Sequence, residues 1–498
     1  MHPDRGVTWG RVIRRPVALA VAALLLLAAN VPATFAATGS TYDPAQDIYS
    51  MDNTTAILGA QAWWDAGYTG AGVDVAVIDS GVAPVEGLSS PGKIIYGPDL
   101  SLESQSPDLR NLDTYGHGTF MAGLIAGRDD DAAAPYSANL PSVYRGVAPD
   151  ARIVSLKVAT ADGGTDVSQV IAAIDWVVQH KNDNGLNIRV LNLSYGTNST
   201  QDYDKDPLAY AAEQAWKHGI LVVTAAGNSG YQKGHGAQGL ADPAYDPTLL
   251  AVGGLDALGT ASMSDDVPGS YTASCSRCPN PDVWTVGSHL QGLRVPNSYL
   301  DVTHPEGAID SRYFRGTGTS EATAITSGMA ALILQKYPWF TPDQVKAFLV
   351  DNSRAIAGAA GQAKHVVEPN LAGMLQARAP RNTYPEFNAK GTGSLEEARG
   401  SDHLTADGIV LKGEQDIFGA HFDSRSMARL EARTASWSGG TWNGNTWAGN
   451  TWAGNTWAGN TWTGNTWTGN TWTGNTWTGS SFSGNTWSGN TWASNTCN

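Results

Sequence analysis

Between about Gln46 and Arg378 the sequence alternates short apolar, β-branched runs with longer stretches of helical period, and this alternation leaves few architectures open. Val73 to Ile78 (VDVAVI), Ile153 to Val158 (IVSLKV), Ile188 to Leu193 (IRVLNL) and Ile220 to Ala225 (ILVVTA) are apolar on both faces, as buried parallel strands are. Between the second and third runs, Val167, Val170, Ile171, Ile174, Val177 and Val178 recur at helical spacing behind Asp166, a good N-cap. Parallel strands need such crossover helices. The expected fold class is therefore α/β, a three-layer domain with a mostly parallel central sheet whose functional residues lie at the carboxyl ends of strands.

The two ends carry different information. Residues 1–36 combine Arg5, Arg11, Arg14 and Arg15 with the apolar stretch Pro16 to Ala29 and small residues at Thr34-Phe35-Ala36. This reads as a signal peptide cleaved after Ala36, since the apolar run is shorter than the ~20 residues that cross a bilayer. Residues 37–55 form a short N-terminal segment, 56–378 the α/β domain, and 379–433 a linker or small irregular segment with no assignable fold. From 434 to 498 a unit close to Gly-Asn-Thr-Trp-x repeats without a single charge, with tryptophan at 437, 442, 447, 452, 457, 462, 467, 472, 477, 487 and 492. A period of five suits neither helix nor strand, so the tail is expected to be a low-complexity strip, favoured for its glycines, or a solenoid-like coil.

The formal charge of −15 makes nucleic acid and anionic membranes poor partners, and no later stretch is apolar enough to span a membrane. The leader makes a secreted, extracellular protein the expectation, with association to the cell surface left to the tail. The three cysteines exclude a disulfide scaffold. Cys275 and Cys278 suit a small local disulfide better than zinc, which lacks two further ligands, and Cys497 is left over.

Widely separated motifs carry residues suited to nucleophilic catalysis. Asp79 ends the first buried run in Asp79-Ser80-Gly81, where a carboxylate can fix a histidine tautomer. His117 stands in Asp113-Thr114-Tyr115-Gly116-His117-Gly118-Thr119, ahead of a small, apolar helical stretch. Ser320 lies in Gly316-Thr317-Gly318-Thr319-Ser320 before another helix, whose start offers backbone N–H groups to an oxyanion. Asn228, in Ala225-Ala226-Gly227-Asn228-Ser229-Gly230, follows the fourth run and can add a side-chain donor. Alone, each motif is an ordinary turn or helix cap.

Together, in this order, DSG, GHGT, AAGNSG and GTS resemble the subtilisin-like serine proteases, the subtilase family or peptidase family S8, over about Ala56 to Leu375. The resemblance implies a subtilisin-like fold and an endopeptidase in which Asp79 orients, His117 acts as base and then acid, Ser320 attacks and Asn228 stabilises the oxyanion. It further implies that Ser194, Tyr195 and Gly196 pair with substrate backbone as an added strand, and that Ala225, Ala226 and Gly227 line the pocket for the residue before the cut bond. No cofactor is implied for catalysis and no metal in the site; calcium bound for stability is a family habit, without a recognisable loop here.

The chain departs from the family in Glu321, where Met or another uncharged residue usually follows the nucleophile, and in Ala324, where Pro is common. It also has no room for a folded propeptide between Ala36 and the domain. Polypeptides are the expected substrates. The tail is expected to serve attachment to cell-wall or glycan surfaces through ring stacking, and to be removable without loss of catalysis. The competing reading is a weak or inactive subtilase that works as a surface or glycan-attachment protein; an esterase is a third, against which the absence of Gly-x-Ser-x-Gly speaks.

Overall fold

Burial on both faces drives the central sheet. In the computed structural model, β1 (Asp74–Asp79), β2 (Ile94–Asp99), β3 (Arg152–Lys157), β4 (Ile188–Leu193), β5 (Leu221–Ala225), β6 (Leu250–Asp256), β7 (Val267–Pro268) and β8 (Val283–Val286) form one sheet. Its order is β2-β3-β1-β4-β5-β6-β7, with β8 beside β6. Every pairing is parallel except β6 with β7. The structure describes residues 41–106, 108–230, 239–275, 280–356, 366–380, 387–406, 409–447, 455–457 and 460–462. The leader, Cys278 and the tail beyond Trp447, apart from two short strands, lie outside them.

The helices are α1 (Met51–Ile57), α2 (Ala60–Asp65), α3 (His117–Ala126), α4 (Val167–His180), α5 (Pro207–Lys217), α6 (Tyr299–Thr303), α7 (Thr319–Lys336) and α8 (Pro342–Asp351). The α4 helix begins where the sequence predicts. Asp166 caps it, and Gln169 reaches back to the Asp166 N–H to complete a capping box. On one side α4 and α5 pack together; α7 packs against α3 and against β4, β5, β6 and β8. Thr319 through Leu334 of α7 is buried on every side, so this helix has no polar face to show to water. Residues 42–55 belong to the same body: Asp47 pairs with Arg315 at 2.9 Å and the Met51 N–H donates to Gln291 at 2.9 Å.

The described residues from 387 to 447 fold onto the α4–α5 side. A short helix, Leu395–Arg399, brings Arg399 to Asp166 at 2.6 Å, with both side chains fully buried. Another, Ser424–Glu431, contacts α5. Here the expectation of a low-complexity tail fails for its first units. Two-residue strands at Trp437–Ser438, Thr441–Trp442 and Asn445–Thr446 form an antiparallel meander, so a period of five is one short strand plus one tight turn. Trp437, Trp442 and Trp447 are buried. The indole of Trp437 donates to Ala172 O at 2.8 Å and that of Trp442 to Asp175 at 2.7 Å, both on α4. Trp447 meets Phe418 edge-on at 4.6 Å.

These rings are core, and removing them should cost what core aromatics cost. Trp442→Ala is expected to lose about 3–5 kcal/mol of stability, as large-to-small changes at buried Trp do, and also takes one donor from the buried Asp175 carboxyl. A chain ending at Arg433 should melt well below one ending at Trp447. Equal melting temperatures for the two truncations, or a neutral Trp442→Ala, would contradict the docking.

Burial also raises the carboxyls of Asp175, Asp206, Asp246 and Asp416 above the ordinary range, Asp416 to about 6. The folded chain then holds protons that the unfolded chain has released once the pH exceeds about 4. Stability should therefore fall, not rise, between about pH 5 and pH 7. Calorimetric melting across that window tests the sign, and a rising melting temperature would refute it. The buried Lys93, lowered to about 7, acts in the opposite sense only above this window.

Candidate active site

The strand order reverses at β1, whose neighbours are β3 on one side and β4 on the other, and a crevice opens beyond the carboxyl ends at such a point. Asp79 is the last residue of β1 and is fully buried. Its carboxylate oxygens both lie 2.9 Å from Nδ1 of His117, the first residue of α3. The chain reaches α3 through Gly116 at φ 107°, a left-handed conformation that favours glycine. At Gly118 a Cβ would stand 2.1 Å from Gly81 O, so α3 can approach the Asp79 turn only without a side chain there.

Three residues that the sequence did not single out hold this pair. Asp113, buried, accepts from the Gly116 and Thr119 N–H groups at 2.7 and 2.8 Å and from Ser80 Oγ at 2.8 Å. Ser80 Oγ in turn accepts from the Gly118 N–H at 2.9 Å. Lys157, at the end of β3, donates to Leu112 O at 2.6 Å and Ser80 O at 3.1 Å, so one ammonium ties the β1 turn to the loop before α3. Asp113 stands inside the His117 motif and could have been noticed as a loop anchor. Lys157 has no local signal at all.

Ser320 is the second residue of α7, inside its first turn rather than ahead of it. It is coupled to the end of β4 by reciprocal contacts: Ser194 Oγ donates to Ser320 O at 3.2 Å, and Ser320 Oγ donates to Ser194 O at 3.4 Å. Asn192 Nδ2 donates to Ser194 Oγ at 3.0 Å, and Ser327, two turns along α7, donates to Asn192 Oδ1 at 2.9 Å. All are buried, so this network fixes the angle at which α7 meets β4.

Asn228 follows β5, and its Oδ1 accepts from both the N–H and the hydroxyl of Thr319, each at 2.9 Å. With the oxygen fixed in this way, the amide nitrogen faces the Gly318 turn: a Cβ on Gly318 would lie 3.0 Å from Asn228 Nδ2. Thr319 Oγ1 also accepts from the Gly227 N–H at 3.1 Å. Ala225 closes β5; Ala226 and Gly227 continue beyond it, receiving the Ala241 and Ala273 N–H groups at 2.9 and 2.8 Å. Ser194, Tyr195 and Gly196 run past the end of β4 and are buried, with Gly196 against Ala241. The structure thus brings every sequence-predicted site residue to the carboxyl ends of β1, β4 and β5 or to the starts of α3 and α7.

Burial alone would lower the His117 pKa, but Asp79, with Glu321 and Asp113 further off, more than offsets it, and the net shift is upward from 6.5. Glu321, next to Ser320, is pushed up to about 7, chiefly by burial. Cys275 is disulfide-bonded, and Cys278 lies outside the described residues. Among the described residues no three His, Cys, Asp or Glu side chains gather to hold a metal ion, and no helix is long and apolar enough to cross a membrane.

The sequence model of the subtilase family, Peptidase_S8, matches residues 70–383. Serine protease AprX of Bacillus subtilis (strain 168) is 38% identical over 291 residues, which is 56% of this chain and 61% of AprX. Subtilisin DY of Bacillus licheniformis is 31% identical over 280 residues, 56% of this chain and 83% of that protein. A solved cold-adapted subtilisin-like serine proteinase is 26% identical, covering 60% of this chain and 89% of its own, with a TM-score of 0.44. The chain spans less than two thirds of AprX's length.

The electrostatics can be read without any assay of turnover. Ring-proton NMR should give His117 a pKa above 6.5. Asp79→Asn, which removes the largest upward influence, should bring it down by at least about one unit, equivalent to ~1.4 kcal/mol. An unchanged value would mean that the carboxylate does not govern the imidazole.

Proposed function

The chain belongs to the subtilase family, and on that premise we propose that it is a secreted serine endopeptidase acting through Asp79, His117 and Ser320. The observation that carries this reading is the buried Asp79–His117 pair at 2.9 Å, with Ser320 in the first turn of a buried helix that packs against the helix of His117. On this reading Asp79 keeps Nδ1 of His117 protonated, which leaves Nε2 as the base. Nε2 takes the Ser320 proton as Oγ attacks the scissile carbonyl. The Asn228 amide and the N–H of Ser320 then donate to the oxyanion. Collapse of the tetrahedral intermediate passes the proton from Nε2 to the departing amine, leaving an acyl-enzyme that water hydrolyses by the same steps.

Polypeptide substrate would lie along Ser194-Tyr195-Gly196 as an added strand, with the side chain before the cut bond against Ala225, Ala226 and Gly227. No cofactor enters these steps. Secretion rests on the leader pattern of residues 1–36, and attachment to glycan or cell-wall polymer rests on the spaced tryptophans beyond Trp447. Culture-supernatant protein should accordingly begin at Ala37, as N-terminal sequencing would reveal.

Ser320→Ala should abolish both peptide hydrolysis and labelling by a serine-directed phosphonate. The drop in turnover is expected on the order of 10⁶-fold, the size known for subtilisin. A folded variant that still cleaved peptides or still took up the label would overturn the assignment, and a wild-type chain that did neither would favour the attachment-protein reading.

A further inference from the structure

Glu321 follows Ser320 in the first turn of α7 and is fully buried. Neither of its carboxyl oxygens has a hydrogen-bond partner on another of the described residues. Leaving a buried carboxyl unpartnered is costly, and a Gln or Met of similar size would avoid the cost. The carboxyl is also close to the reacting atoms. A Cβ on Gly318 would lie 2.8 Å from Glu321 Oε2 and 3.0 Å from Asn228 Nδ2, so the acid and the amide flank the same glycine. The ionisable groups that face Glu321 are His117 of α3, Asp79 of β1 and Tyr271 from the loop after β7, with Asp113 behind His117. Burial and Asp79 favour its neutral form; protonated His117 opposes them.

Building on the endopeptidase reading, we propose that protonated Glu321 is a further hydrogen-bond donor to the oxyanion formed when Ser320 attacks, which confines this enzyme's turnover to near-neutral pH. The acid lends its O–H and keeps its proton; no bond to it forms or breaks. Once ionised, the carboxylate stands beside a developing oxyanion of like charge and also holds His117 protonated to higher pH. Both effects reduce turnover. Two limbs result: an acid one, where His117 must lose its proton, and an alkaline one, where Glu321 must keep its own. The burial of Glu321 gives the second limb its position, since its carboxyl is raised to about 7.

The test is kcat against pH on a small peptide for the wild type, Glu321→Gln and Glu321→Met, each with its melting temperature. The wild type should lose at least about tenfold between pH 7 and pH 9, because a mispositioned charge at the oxyanion acts on the transition state. Glu321→Gln keeps an N–H donor but cannot ionise; it should hold neutral-pH turnover within about threefold and lose the alkaline fall. Glu321→Met has no donor and should drop kcat at pH 7 by roughly 10²-fold with little change in KM, as loss of one oxyanion donor does. Both variants should melt no lower than the wild type, having shed an unpartnered buried acid. An alkaline fall that persists in Glu321→Gln, or wild-type turnover at pH 7 in Glu321→Met, overturns the proposal while leaving the endopeptidase reading intact. A wild-type chain that fails to take up a serine-directed phosphonate overturns both.

Discussion

The arrangement of this molecule depends on burying α7 whole. A helix enclosed from Thr319 to Leu334 must meet partners on every side, and it finds them in α3 and in β4, β5, β6 and β8. Its first turn is thereby driven into the crevice where β1 and β4 diverge, and the backbone N–H groups at that turn have no earlier carbonyl to bond. Small residues make this feasible. Gly328 rests on Val147, where a Cβ would come within 2.6 Å, and the Ser327–Asn192–Ser194 hydrogen bonds supply polar register inside an otherwise apolar contact. A helix fixed at both its flank and its tip can present Ser320 at one position only, which is what attack on a carbonyl requires.

The second half of the site is built by the opposite means, a loop closed by charge. Asp113 and Lys157 are buried polar side chains that gather backbone groups from the β1 turn and from the approach to α3. Breaking either would leave buried polar groups unpaired, so they hold the Asp79–His117 distance more firmly than packing around glycines could. Rigid placement here matters because the imidazole is oriented through its hydrogen bond to Asp79.

What the sequence disclosed and what it hid divide along physical lines. Strands β1, β3, β4 and β5 were legible within a residue or so because two-sided burial writes continuous apolar runs, and α4 because its cap and its period agree. Asp79, His117, Ser320 and Asn228 were legible because glycine-rich turns mark them. Lys157 was not, since a lysine at the end of an apolar run reads as a solvated strand end until the loops that cover it are known. The fold of residues 387–447 was hidden for a similar reason: its anchors are long-range pairs such as Arg399 with Asp166, and Glu213 with the Ala389 N–H at 3.1 Å, which leave no periodic trace.

The first repeat units make the same point more sharply, because nothing in their nearly identical sequences marks the partners they meet. An indole N–H buried without an acceptor is unfavourable, so a tryptophan joins a core at lower cost where an acceptor waits. Along α4 such acceptors exist in a row: Ala172 O receives Trp437, Asp175 receives Trp442, and Gln179 bonds the Trp437 backbone. Asp416 adds a further anchor by accepting from Asn443 and Asn445 at 2.7 and 2.9 Å. These partners belong to the α/β domain and its C-terminal extension, not to the repeat. The first units of a uniform repeat are therefore committed to stability by the helix they meet, a role that their own sequence does not encode.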